Sequence, residues 1–495
     1  MRISILPERE EKTMETTNTV QYRKAKPWQL YLFSIHDLLL ICFLFVMNFI
    51  TYLGAGYYGL LATTVAMIAT ASRIFDAITD PIIAFIVERT DGKFGRYRPT
   101  MVLGWIISAI ALLGIYFFCV GASPIVFILI YAVYVIGYSF MMTSQGGARV
   151  AFTNEPVQRN RLGLFMGIFS SFFGMAFNLY NTNYLVPKHG GKIDLGTMQE
   201  LCITMLVISF IILVLTVVSI WDRDVPENYR SLSKEKVSPT DMFRVMKNNR
   251  NFQMILVACA SDRIAMNIAS NTSVIMAVWG IIAGNYAFYG RLGLIAFIPN
   301  ILVSIFGNQV AIKMGKRTAL RNFSIGSVVA GCSMIALFTL GDPTQIGRTL
   351  PMTAVYLLAH CVFQACMAVT NGLRMPMLAD VADYEMSRNG GKQIAGVISA
   401  AYSLVDKTIV AFATTIVGFA YAGIGYVTSL PQLGDPVTGS LVTVSMILWM
   451  GLPIVGYILS IIAMKFYTLD NATMEDVQAR LSAMKAAVDS EAKAE

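Results

Sequence analysis

Charge is scarce in this chain. Of its 495 residues, 14% are Asp, Glu, Lys or Arg, against about 25% in a typical soluble domain. That excludes a string of soluble domains. Histidine is scarcer still, with three in all, which leaves no material for a histidine-rich metal centre. The seven cysteines show no CxxC or Cys–His spacing. Cys42, Cys119 and Cys259 lie inside apolar runs and read as small packing residues. No catalytic triad pattern, HExxH or DxD-type loop is present, and the connections are short, so the chain does not read as an enzyme. What abounds is apolar surface: 56% of residues are hydrophobic and the mean hydropathy is +0.60. The chain is therefore a polytopic membrane protein.

A membrane-spanning helix needs roughly 20 apolar residues. On that criterion twelve spans begin near Trp28, Tyr57, Pro99, Pro124, Arg161, Leu201, Phe252, Phe288, Arg321, Pro351, Gly396 and Leu441. The tails and alternate connections hold 29 of the 38 Lys and Arg. The opposite side holds four, namely Lys188, Lys192, Arg291 and Arg348. Positive charge marks the cytoplasmic side, so both termini are expected there. The net charge of +8 follows from this bias and gives no reason to expect nucleic acid as a partner.

The longest internal polar segment, 222–251, divides the chain into two sets of six spans. The expected layout is an N-terminal tail over 1–27, a six-helix bundle over 28–221, a central loop over 222–251, a second bundle over 252–468 and a tail over 469–495. The first 27 residues are polar and do not read as a cleaved leader. A weak repeat supports the division. The second span exits into KFGR at 93–96, and the eighth exits into KMGK at 313–316. Two parallel six-helix halves related by an axis along the membrane normal are the architecture of major facilitator transporters.

Ionisable groups inside a bilayer are costly and read as functional by default. The first half carries Asp37, Arg73, Asp76, Asp80 and Arg149. The second carries Asp262, Arg263, Arg374, Asp380, Asp383, Asp406 and Lys407. Asp76 and Asp80, four apart, share a helix face. Two carboxylates on adjacent turns repel when both ionise, which is relieved by a shared proton or by a bound cation such as Na+. Arg73 lies one turn earlier and Thr79 offers an uncharged oxygen. Lys407, mid-span, is placed to reach the same carboxylates. Asp37 suits bidentate hydrogen bonding to sugar hydroxyls, or pairing with Arg73 or Arg149. Tyr138 is a candidate to stack on a sugar ring.

The run RIFDAITDPIIAFIVERTDGKFGRYRP, residues 73–99, resembles the second span and following loop of the glycoside–pentoside–hexuronide:cation symporters, the family of the melibiose permease. MLADVADYE at 377–385 is similar to that family's A-D-x-x-D-Y-x-E segment. The region of Lys407 is a third match, and the stretch TNEPVQR at 153–159 a fourth and weaker one. The resemblance implies a twelve-helix major facilitator fold and a symporter for a sugar, glycoside or sugar acid, driven by Na+, Li+ or H+. It carries the cation site onto Asp76, Thr79 and Asp80 and sugar binding onto Asp37, with Lys407 near both. Where the melibiose permease has a sugar-binding aspartate and an arginine, this chain has Met142 and Gly167. An asparagine of the family's cation site is replaced by Thr79. A non-galactoside, a hexuronide and proton-only coupling all fit.

The expected protein is a multi-pass transporter of the plasma (inner) membrane, a monomer without a bound cofactor, working by alternating access. Substrate contacts fall to Asp37, Tyr138, Arg149, Arg374 and Lys407. A cytoplasmic gate falls to Lys93, Arg96, Arg98, Asp380 and Asp383. Rival readings are a lysophospholipid or drug transporter on the same fold, and a non-transporting membrane sensor.

Overall fold

The computed structural model describes residues 24–90, 92–153, 155–225, 244, 246–388 and 395–494. Most of the expected N-terminal tail and central loop therefore lie outside the described residues, as does the side chain of Arg73. The described chain is all helical; its one β-bridge, Gly92 with Gly95, closes a turn.

Long apolar runs with internal Gly or Pro fold as helices because a bilayer leaves no other partner for the backbone. Helix α1 runs over Pro27–Tyr57 with breaks near 34–36 and 48–49. Then follow α2 (Ala62–Arg89), α3 (Tyr97–Phe118), α4 (Pro124–Phe152), α5 (Pro156–Tyr180) and α6 (Leu195–Ser219). The second set is α7 (Arg250–Ala269), α8 (Tyr286–Met314), α9 (Lys316–Thr339), α10 (Leu350–Arg388), α11 (Ala395–Ala422) and α12 (Gly439–Phe466), and a polar α13 (Asn471–Ala494) ends the chain. Pro27, Pro124 and Pro156 occupy first-turn positions, where the missing N–H costs nothing.

Among the described residues, ten helices are long and apolar enough to cross a membrane. An eleventh results if Thr272–Ile282, which continues α7, and the start of α8 count as one span bent by 111°. Helix α2 is the exception. Its apolar stretch is described over Ala62–Ser72, and the side chains of Arg73 and Ile74 that follow lie outside the described residues. The twelve expected spans thus stand at ten or eleven among the described residues, where side chains are described over only part of α2 and of α8.

Packing repeats with a shift of six helices. α3 packs on α4 as α9 does on α10, α2 on α4 as α8 on α10, and α1 on α6 as α7 on α12. Across the middle, α2 meets α11 and α5 meets α8, and the same shift exchanges these two contacts. The repeat hinted at by the KFGR and KMGK turns is therefore built into the packing.

The two halves are fastened at the end where α1 finishes and α2 starts. Thr70 donates to the Ala411 carbonyl at 2.8 Å, and Thr415 donates to the Ala66 carbonyl at 3.1 Å. Tyr52 donates to the Pro431 carbonyl at 2.9 Å, and Gln432 bonds both backbone groups of Ile193 at 2.9 and 3.3 Å. Gly418 lies so close to α2 that a Cβ there would meet the Ala66 Cβ at 2.9 Å. Small residues at such crossings let helix backbones approach.

At the opposite end the KFGR turn is clasped by Asp224, which follows α6. Its carboxylate accepts from the backbone N–H groups of Arg96, Tyr97 and Arg98 at 2.8–3.0 Å. These are the orphan donors at the start of α3. Gly95 makes this possible with φ +84°; a Cβ there would fall 2.3 Å from the Asp224 carboxylate. In the second half Lys316 bonds both Asp380 oxygens at 2.7 Å, and Gln478 of α13 donates to Asp383 at 2.8 Å. Asp470 caps α13 through Thr473, whose hydrogen bonds hold its carboxyl below the usual range.

Candidate functional site

Three groups of charged side chains face the space between the halves. The first joins α2, α4 and α11. Asp76 accepts from the Ser139 hydroxyl at 3.4 Å. It lines a small cavity of about 30 Å³ whose walls include Ser72, Tyr131 and Tyr138, room for one or two waters or a bare cation. Tyr138 therefore stands beside Asp76. One turn on, Asp80 accepts from the Lys407 ammonium of α11 at 3.2 Å, and its other oxygen is buried with no protein partner. The Thr79 hydroxyl donates back to the Phe75 carbonyl at 3.1 Å, leaving its lone pairs as its offer to an ion.

The second group joins α1 and α4. Arg149 donates to the Asp37 carboxylate through one terminal nitrogen. Its Nε lies 2.7 Å from His36 Nε2. A guanidinium only donates, so His36 Nε2 accepts and its proton sits on Nδ1, 2.6 Å from the Phe33 carbonyl. Gln145 donates to the His36 carbonyl at 2.9 Å. Asp37 is thus held by an arginine rather than standing alone in the cavity. Arg149 is 41% exposed, so solvent screens the pair. A double-mutant cycle of Asp37→Asn and Arg149→Gln should show a coupling of about 1 kcal/mol in thermal stability. Additive single effects would contradict the pairing.

The third group belongs to the second half. Asp262, fully buried, accepts from Ser460 at 2.9 Å and lies 3.9 Å from Arg374. Arg263 donates to Asp406 at 3.2 Å. Arg374 is therefore committed to its own half. The gate candidates divide likewise. Arg98 lies between Asp224, with its Nε at 3.6 Å, and the Trp221 ring at 4.4 Å. Asp380 and Asp383 are held by Lys316 and Gln478 of their own half, while Lys93 is exposed.

Sequence reasoning missed a larger cavity, of about 380 Å³, between these groups and the fastened end. Its wall draws on α1, α2, α4, α5, α7, α8 and α11 and includes five asparagines, Asn48, Asn178, Asn181, Asn267 and Asn271. None of the described residues lining it is Asp, Glu, Lys or Arg. It adjoins the small Asp76 cavity, with which it shares Leu44, Met47 and Tyr131.

A paired six-helix repeat around a central polar cavity defines a transporter of the major facilitator type, and the comparisons agree. Residues 35–471 match the family model described as MFS/sugar transport protein. The chain belongs to this family, within its glycoside–pentoside–hexuronide symporter branch. It is 23% identical over 438 residues to YnaJ of Bacillus subtilis (strain 168), named an uncharacterized symporter, covering 86% of this chain and 88% of that one. It is 22% identical to a lactose permease of Leuconostoc lactis, covering 75% and 58% of the two chains. It is 21% identical to a glucuronide carrier protein homolog of Escherichia coli (strain K12), covering 87% and 91%. Among solved structures, the nucleoside transporter NupG superposes with a TM-score of 0.57 over 90% of this chain and 100% of that one at 13% identity, a likeness of fold. The chain is a sugar transporter, not an enzyme.

Proposed function

We propose that this protein couples the downhill entry of a cation, Na+ or H+, to the uptake of a sugar by alternating access. The observation that carries this is the Lys407–Asp80 contact. It joins α11 of one half to α2 of the other, at 3.2 Å. There the protein's own ammonium stands where a coupling ion would neutralise the Asp76/Asp80 pair. Asp76, Thr79 and Asp80 form the ion site. Ion binding displaces Lys407 from Asp80, which loosens one half from the other. Linkage makes ion and sugar binding mutually favourable.

The protein works as a monomer in the plasma (inner) membrane, with twelve spans and both termini cytoplasmic. With that orientation the fastened end faces outward, and the structure is the outward-closed state. Lys93, Arg96, Arg98, Asp380 and Asp383 lie on the cytoplasmic side and form cross-half contacts when the cavity turns outward, Arg98, Asp380 and Asp383 giving up their within-half partners to do so. The amide-rich wall of the larger cavity favours sugar over lipid.

The test is uptake of labelled sugars into vesicles under a sodium gradient or a pH gradient, imposed separately. Accumulation is expected under one of them. Equilibration without accumulation under both would refute coupling.

A further inference from the structure

The connection between α11 and α12, residues 423–438, belongs to the second half by sequence and reaches the first half at three places. The Val427 carbonyl accepts from the Ala62 N–H at 3.0 Å. The Pro431 carbonyl accepts from the Tyr52 hydroxyl at 2.9 Å. The Gln432 side chain takes both backbone groups of Ile193, at 2.9 and 3.3 Å. These partners lie on α2, on α1 and in the connection before α6. We propose that residues 426–435 form a rigid strap, carried by the second half and latched to the first, that shuts the outer end of the central cavity, and that Asp435 holds the strap in its latching shape. This goes beyond the symport reading and shares with it only the orientation of the chain.

The strap has a shape of its own. The Tyr426 N–H donates to the Tyr421 carbonyl at 3.1 Å, which fixes the start of the strap to the end of α11. A single oxygen of Asp435 accepts from the Tyr426 hydroxyl at 3.1 Å and from the Gln432 N–H at 2.9 Å. The Asp435 N–H in turn donates to the Gln432 carbonyl at 3.2 Å. The turn between them needs Gly434, with φ +95°, a conformation that costs glycine nothing. Residues 426, 432 and 435 are thus held together by one carboxylate that touches neither the cavity wall nor the first half. It acts as a positioning residue for Gln432.

The latch is made to release. The Ala62 N–H is an orphan donor at the start of α2, where no side chain caps the helix. The lid carbonyl that satisfies it is replaced by water when the halves part, and so is each of the other partners. A hydrogen bond exchanged for one to water changes the free energy only modestly, so the latch holds firmly in sum and still opens. Packing accompanies the bonds. Leu433 lies over Gly191 of the first half so closely that a Cβ there would fall 2.3 Å from its side chain.

The experiment uses the full chain in right-side-out vesicles, without sugar or gradient. Ser270, which lines the larger cavity, is replaced in the substitution Ser270→Cys, and a membrane-impermeant maleimide is added outside. The rate is read above the labelling of the native cysteines. Adding Gln432→Ala should raise that rate about tenfold, the loss of two hydrogen bonds, and Tyr52→Phe about threefold, the loss of one. Asp435→Ala should raise it like Gln432→Ala, whereas Asp435→Asn, which keeps an accepting oxygen, should label within about twofold of the Ser270→Cys parent. Parental rates in Gln432→Ala and Asp435→Ala would overturn the strap. Equal rates in Asp435→Asn and Asp435→Ala would overturn the part given to Asp435. Acceleration from the cytoplasmic side alone would place the strap at the wrong end and overturn its role as an outer gate. Tyr52→Phe removes one hydroxyl only, so a parental rate there decides against the latch even if the alanine variants fail to fold. No sugar or ion is needed, so any of these failures leaves the symport reading standing.

Discussion

Vesicles carrying Asp80→Asn are expected to equilibrate sugar across the membrane and to lose accumulation. A potential of 100 mV acting on one co-transported charge supplies about 2.3 kcal/mol, an accumulation on the order of 50-fold. The variant should fall to a ratio of about one, because the carboxylate that trades Lys407 for the ion is gone. Sugar binding measured without the ion should change little, since Asp80 is not among the described residues lining the larger cavity, while the ion's enhancement of sugar binding should be lost. Asp76→Asn should behave alike, because Asp76 lines the ion-sized space beside Ser139. Removing Asp80's charge also leaves the Lys407 ammonium without its partner at 3.2 Å. Asp80→Asn with Lys407→Gln restores the charge balance, so the double variant should recover any loss of protein yield while remaining uncoupled. Wild-type accumulation by Asp80→Asn or Asp76→Asn would sink the ion-site assignment.

Asp224→Ala is expected to cause a large loss of stability. Asp224 and Arg98 are both buried. The change removes the acceptor of three backbone N–H groups and leaves the Arg98 guanidinium with the Trp221 face alone. Breaking a buried charged pair by deleting one partner costs about 3–5 kcal/mol. Asp224→Asn keeps one acceptor oxygen and should cost less. Thermal unfolding in detergent would measure both, and an Asp224→Ala midpoint equal to wild type would show that the clasp carries no weight.

The sequence made some of this legible and concealed the rest for identifiable reasons. Asp76, Asp80 and Lys407 stand out because each is a charge in an apolar run, where charge is conspicuous. The basic turns stand out because two of them match. Asp224 is one acid in a polar connection, and nothing local distinguishes it from a solvated one. His36 and Gln145 look like tolerated polar residues until folding brings α1 against α4. Most obscure is the amide wall. Asn48, Asn178, Asn181, Asn267 and Asn271 come from α1, from α5 and its continuation, and from α7 and the break after it. No periodicity links them, and single asparagines are common near helix breaks. Asn271 even has a local duty, accepting from the Ser273 N–H at 3.0 Å. Their shared role exists only in three dimensions.

The Thr70, Thr415 and Gly418 seam has a consequence for the timing of the cycle. Its described contacts are hydroxyls, carbonyls and small apolar side chains, with no ion pair among them. Parting it requires no charge to be rehydrated, so ionic strength exerts little leverage on how fast this door swings. The clasped basic turns at the other end are built from charge and respond to salt. Turnover at high salt would then be paced by one door alone, and the two ends of the same protein would keep different clocks.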